Sequence, residues 1–403
     1  MANDNSHFNP SERRAPSSNL KVLLISEGEF SGVRPALMAA LERSGCEVIY
    51  ERQSLRALGL LRYWHGPRMV VNALIRYRRD ARRLLDRTRA AYEARSRVNQ
   101  ALVDRHPGVD LVLQIAANSA YLGARPSHTR FAVYTDYMNL LSKALPDRGF
   151  ALEERKVDAE WNVLERRTLL AQDHVFVMGS HVKPAIEAAY GLRPEKVTVV
   201  GAGPGLDLDI ERDGRVKDYA HRNILFVGKQ PGKKGLGVLL QAFARVRVQC
   251  PDALLHVVTG EPVSAPGVVF HGAVSASQLK ELFYTSSVFT MPAFKEPLGL
   301  VYLEAMWSKT ACVGTNTGSM PELIQDGESG YLVDPGDAAA LAQRLIALLE
   351  NPGRTKQMAE RAYAAAKGYW DWDLVVRRMM NALQPSGRAF VGGRDLAARR
   401  SNR

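Results

Sequence analysis

The chain has 403 residues, more than one hydrophobic core usually serves, so two domains of ordinary size are expected. Apolar residues make up 46% and charged residues 24%, and the three cysteines, Cys46, Cys250 and Cys312, show no C-x-x-C spacing, which argues against a disulfide framework or zinc cage. No run of about eighteen apolar residues exists to span a bilayer, so the net charge of +12 and its placement carry the compositional argument.

In chain order, MANDNSHFNPSERRAPSSN over 1–19 reads as a flexible polar segment without the apolar core of a signal peptide, and a reduced cytoplasmic setting is expected. LKVLLIS at 20–26 is a buried-type strand, GVRPALMAALERSG a helix ending at Gly45, and CEVIYE the next strand. Residues 51–100 form a basic helical region holding thirteen arginines against four acids, interleaved with Trp64, Val70, Val71, Leu74 and Ile75. That mixture suits a helix lying on anionic headgroups; a solvated helix packed on its own domain is the bland reading. Nucleic acid ranks below both, because no recognition-helix, zinc-finger or RNP pattern accompanies the charge.

DLVLQIA at 110–116, RFAVYTD at 130–136 and HVFVMGS at 174–180 continue a strand–helix alternation, with HVKPAIEAAYG as the helix after the last. The alternation restarts with NILFVGK at 223–229, then LLHVVTG at 254–260, VVFHGAV at 268–274, VFTMP at 288–292, ACVGT, GYLVD and the helix AAALAQRLIALLE. Such an order predicts α/β architecture: two Rossmann-like, doubly wound parallel-sheet domains facing each other across a cleft. Expected boundaries are 20–191 for the first domain and 192–366 for the second. A helix over 367–384 is expected to return to the first domain, and a basic flexible tail is expected over 385–403.

Two stretches carry chemistry. FVGKQPGKKGLGVLLQAF sets Gly228, Lys229 and Lys234 between a strand and a helix start, where two cations beside backbone donors suit a diphosphate; a solvated lysine loop is the alternative. The glycines match neither a dinucleotide fingerprint nor a P-loop. KEPLGLVYLEAM places Glu296 before a turn and Glu304 inside an apolar helix starting near Gly299, with Leu300 and Val301 at i−4 and i−3 and Trp307 at i+3. A carboxylate there is costly unless paired, unless it belongs to a frayed, exposed helix start.

Taken together, the lysine loop and the later Glu-x-x-Gly-x-x-x-x-Glu resemble the signature of retaining family-4 glycosyltransferases of the GT-B fold. The continuation EAMWSKTACVGTNTGSMPELIQDGESGYLVDPGD is similar to that family's pattern, and the likeness spans about 222–337. The resemblance implies that Glu304 accepts ribose hydroxyls of a nucleotide-diphosphate sugar and that Glu296 holds hydroxyls of the donor sugar. It further implies that Gly299, Leu300 and Val301 present helix-start amides to the diphosphate, whose growing charge Lys229 and Lys234 stabilise. Gly260 and Val274 fall where a base would stack. Three departures stand out: a lysine at 229 where the family commonly has arginine, SEGEFSGVRP with Gly28 or Gly32 in place of a Gly-Gly loop, and Asp136 in place of a histidine. Asp136 is then expected to contact donor or acceptor hydroxyls, or else to cap a strand-end turn.

The implied activity is metal-independent, retaining transfer of a sugar to a glycan acceptor, lipid-linked or part of a surface polysaccharide. No cofactor is expected beyond the nucleotide-sugar cosubstrate. The expected setting is the inner face of the cytoplasmic membrane, touched through residues 51–100. A sugar-nucleotide epimerase of the same fold, and a non-catalytic saccharide- or nucleic-acid-binding protein, stay open as alternatives. The D-x-D tripeptides at 207–209 and 371–373 are discounted as metal motifs, the second as a helix cap, and His181 and His271 are expected to be structural.

Overall fold

The computed structural model describes residues 20–77, 85–142 and 152–384; the expected polar segment 1–19 and tail 385–403 lie outside them. The first half contains β1 (Lys21–Ser26), β2 (Glu47–Arg52), β3 (Leu111–Ile115), β4 (Arg130–Thr135), β5 (His174–Val177) and β6 (Val197–Val199). These form one parallel sheet ordered β2-β1-β3-β4-β5-β6, in which Val22 lies opposite Val48 on one side and Leu111 on the other. The second half repeats the plan with β7 (Asn223–Val227), β8 (Leu254–Val258), β9 (Val268–Phe270), β10 (Val288–Thr290), β11 (Ala311–Thr315) and β12 (Gly330–Val333), ordered β12-β11-β10-β7-β8-β9.

Parallel neighbours require crossovers, and helices supply them. In the first half these are α1 (Val33–Arg43), α2 (Arg62–Tyr77), α3 (Arg89–Arg105), α4 (Leu152–Leu170) and α5 (Val182–Tyr190). The second half has α6 (Leu236–Gln249), α7 (Ala276–Thr285), α8 (Leu300–Trp307), α9 (Met320–Leu323), α10 (Ala338–Leu349), α11 (Pro352–Tyr369) and α12 (Trp372–Leu383). With helices on both faces, central strands read as unbroken apolar runs: Val22 to Ile25 in β1 and Ile224 to Phe226 in β7 are fully buried. The doubly wound expectation is met in both halves. Four elements were not foreseen: β6 is only three residues long, α9 only four, α4 carries charges along most of its length, and half of the buried residues of α11 are alanine.

The strand order of each sheet reverses once, between β1 and β3 and between β10 and β7. At such a switch point the two flanking loops leave in opposite directions and open a crevice at the carboxyl ends of the strands. Helix α12 packs back on the first half: Arg43 pairs with Asp373 at 2.7 Å, and the Trp372 indole meets Tyr134 edge-on with centroids 6.4 Å apart. Among the described residues no helix is long and apolar enough to cross a membrane.

Candidate active site

The crevice of the second half lies between the loop after β7, carrying Gly228, Lys229 and Lys234, and the loop after β10, carrying Glu296. Lys234 Nζ donates to Glu296 Oε2 at 2.6 Å, and the Glu296 side chain is only 8% exposed, so the pair ties the two loops together. Two glycines permit this approach. A Cβ on Gly228 would stand 3.1 Å from the Lys234 stem, and a Cβ on Gly235, which has φ 76° at the start of α6, would meet the Pro292 carbonyl oxygen at 1.9 Å. Lys229 is exposed at the end of its strand.

Helix α8 starts at Gly299, in the left-handed region at φ 89°, and from Tyr302 onward every residue is buried. Its first amides, at Leu300 and Val301, have no partner within the helix and face outward from the start of the macrodipole. Glu304 is the single charged residue of α8 and is 6% exposed. Burial pushes its carboxyl up to about 8, opposed by the backbone amides of Leu206 and Gly205, so it keeps its proton at neutral pH. These amides come from the connection between the halves.

Asp136 follows β4 in the first half. Its carboxyl is raised by burial and, next after its own amide's opposing pull, by the charge of Glu296; Lys234 and His181 pull it down. Asp136 thus lies close enough to the Lys234–Glu296 pair to feel both charges. Beside it the Lys295 ammonium lies 4.8 Å from the Tyr137 ring centroid, a contact between the halves. A second contact joins the start of α5 to α9: the Glu322 carboxylate accepts from the Ser180 amide at 2.8 and 3.0 Å, and Ser319 Oγ sits 3.0 Å from His181 Nδ1. Those donors hold the Glu322 carboxyl below its ordinary range despite burial.

Gly32, at φ 87°, is pressed on the connecting segment, where its Cβ would stand 2.2 Å from the Gly205 carbonyl oxygen; Gly28 borders open space. Gly260 is exposed, and Val274 lines an open groove of about 370 Å³ together with His271 and the outer face of α7. The discounted residues are spent locally. Asp209 accepts from Tyr363 Oη at 2.7 Å, Asp371 caps α12 through the amides of Asp373 and Leu374, and His271 pairs with His256 at 3.0 Å. Sequence reasoning missed Gly205, Leu206 and Glu322. The GAGPG run offered a signal for the first two; Glu322 offered none, since its partner lies 142 residues away.

Residues 221–351 match the glycosyl transferases group 1 family. Over 236 residues the chain is 28% identical to D-inositol 3-phosphate glycosyltransferase of Streptomyces scabiei (strain 87.22), covering 51% of this chain and 53% of that one. Over 198 residues it is 31% identical to phosphatidyl-myo-inositol mannosyltransferase of Mycobacterium tuberculosis (strain ATCC 25618 / H37Rv), covering 45% and 52% respectively. The chain spans about half the length of the curated relatives it matches. Sucrose-phosphate synthase from Thermosynechococcus elongatus shares the fold, with TM-score 0.67 and 18% identity over 90% of this chain and 98% of that one. The lysine loop, the Glu296 turn and the buried Glu304 all fall within residues 221–351, the segment that matches the glycosyl transferases group 1 family.

Proposed function

We propose that the protein transfers a sugar from a nucleotide-diphosphate donor to a glycan or lipid-linked acceptor, with retention at the anomeric carbon and without a metal ion. The observation that carries this reading is the Lys234–Glu296 pair at the switch-point crevice, beside a helix start and one buried carboxyl. Lys229, Lys234 and the amides of Leu300 and Val301 supply positive potential where a diphosphate accumulates charge as its bond to the sugar breaks. Glu296 orients sugar hydroxyls and Glu304 takes the ribose. Asp136, across the cleft, faces donor or acceptor hydroxyls. The departing phosphate oxygen takes the acceptor proton, so no protein nucleophile takes part. The two curated relatives are named for inositol phosphate and phosphatidyl-myo-inositol, which favours a phosphorylated or lipid-linked acceptor here.

The same reading places the protein in the cytoplasm, against the inner face of the membrane. Helix α2 buries His65, Met69 and Ala73 on one side, yet leaves Trp64 at 68% and Ile75 at 77% exposure, with Val70, Val71 and Leu74 also in solvent. Arg68 and Arg89 flank it, sharing Glu93 as their acid. Apolar side chains beside arginines favour an anionic lipid surface. In a thermal-shift screen of nucleotide sugars, a true donor raises the melting temperature of the wild type, and Glu296→Ala abolishes transfer in EDTA. An isomerised sugar from donor alone would select the epimerase alternative, and inversion in the product would reject retention. Equal recovery of the wild type and Trp64→Ser/Ile75→Ser with anionic liposomes would reject the membrane contact.

A further inference from the structure

The switch point of the first sheet also opens a crevice, between the loops after β1 and β3, and the roles above leave it unused. Arg95, on α3, is buried beneath it at 7% exposure. Its Nε donates to the Asn118 carbonyl at 3.1 Å and lies 3.5 Å from Glu27 Oε1; its Nη2 donates to the Asp86 carbonyl at 2.5 Å. Glu27 is thereby gripped from below, with Asn118 as a further side-chain partner, while 42% of its side chain stays exposed. Nearby Gln53 is 7% exposed, and its Oε1 is buried without a partner among the described residues. Three residues beyond Glu27, Phe30 stands 38% exposed on a backbone at φ 47°, a conformation costly for a bulky side chain.

The loop is anchored relative to the donor site. A Cβ on Gly205 would stand 2.1 Å from the Ser31 carbonyl oxygen and 3.1 Å from Glu304 Oε1, so the far end of this loop touches the connection that serves Glu304. At the near end, β1 and β4 are separated by β3 alone, which puts the exits to Glu27 and Asp136 about 10 Å apart. A carboxylate held from below, with an exposed aromatic residue three positions on in the same loop, suits a polyhydroxyl ring: hydroxyls donate to the carboxylate and an apolar C–H face can lie on the aromatic.

We propose that Glu27 and Phe30 form the subsite for an uncharged polyhydroxyl ring of the acceptor, with Arg95 as the positioning residue that fixes Glu27. This rests on the transferase reading. The Glu27 carboxylate, 42% exposed, repels an anionic group set directly on it, so the ring it receives is uncharged at that point, while Arg52, which donates to the Glu27 carbonyl at 3.1 Å, lies at the edge of the loop. Saturation-transfer NMR with myo-inositol and with methyl α-D-glucopyranoside tests it on the full chain. The wild type gives a signal from at least one probe, and Glu27→Gln and Phe30→Ala each weaken its binding at least tenfold. Phe30→Ala alters an exposed side chain and keeps the test open should Glu27→Gln fail to fold. No signal on the wild type, or a signal both variants retain, overturns the proposal. Neither probe carries a nucleotide, so failure of donor binding in the thermal-shift screen is a separate result that sinks the transferase reading instead.

Discussion

Replacing Glu304 with glutamine isolates the cost of a buried carboxyl. The group's ordinary value of 4.5 rises to about 8 in the folded chain. Between those values the folded protein holds a proton that the unfolded chain has released, so stability falls as pH rises and levels off above about pH 8. At about 1.4 kcal/mol per pH unit, the wild type loses about 4 kcal/mol from this group between pH 5 and pH 8. Glutamine still accepts from the amides of Gly205 and Leu206 and has nothing to titrate, so Glu304→Gln is spared that decline. Urea unfolding of both proteins at pH 5.5, 7 and 8.5 measures the difference, and curves that stay parallel would refute a buried, proton-holding Glu304. Ribose hydroxyls donating to the ionised carboxylate would expel its proton. Calorimetry of donor binding at pH 7, in buffers of different ionisation enthalpy, should therefore show release of close to one proton from the wild type and none from the variant.

Lys234→Met removes the cation from a glutamate that is 8% exposed, and should cost about 2–4 kcal/mol; Lys234→Met/Glu296→Gln should recover at least half of that, and a double mutant no more stable than the single would refute the coupling. Gly32→Ala puts a Cβ 2.2 Å from the Gly205 carbonyl in a left-handed conformation, so chemical denaturation should show a loss of about 1–3 kcal/mol, whereas full stability would mean the loops do not touch. Glu322 is held below its ordinary range by donors on the other half, so its contribution is present above the unfolded value and vanishes as pH falls through the folded one. Small-angle scattering should find Glu322→Gln more open than the wild type at pH 7, with the difference closing at acid pH; equal radii at pH 7 count against the contact.

How much of this was legible depended on whether the cause was local. Strands such as Val22 to Ile25 announce themselves because burial on both faces demands unbroken apolar residues, and Glu304 stands out as the lone charge in such a run. By contrast α4 and α11 went unread, since charges are spread along one and alanine provides half of the buried residues of the other. Residues whose importance arises from the other half leave no local mark. Glu322 looks like any acid in a helix's first turn, and Gly205 matters because Ser31 on one side and Glu304 on the other leave no space for a side chain.

That crowding links the Glu304 carboxyl to the arrangement of the halves. The connecting segment is clamped mainly from the first-half side: Tyr134 Oη donates to the Gly201 carbonyl at 2.8 Å, Arg378 Nε to Val200 at 2.8 Å, and Trp372 Nε1 to Pro204 at 2.8 Å. Arg378 and Trp372 belong to α12, which rides on α1. Gly205 and Leu206 thus move with the first half, while Glu304 belongs to the second. Any motion that separates the halves withdraws two donors from a buried carboxyl, which makes its ionised form costlier still. A hydroxyl-bearing ligand that needs the ionised form binds more weakly to that open arrangement, and by linkage its binding favours the closed one.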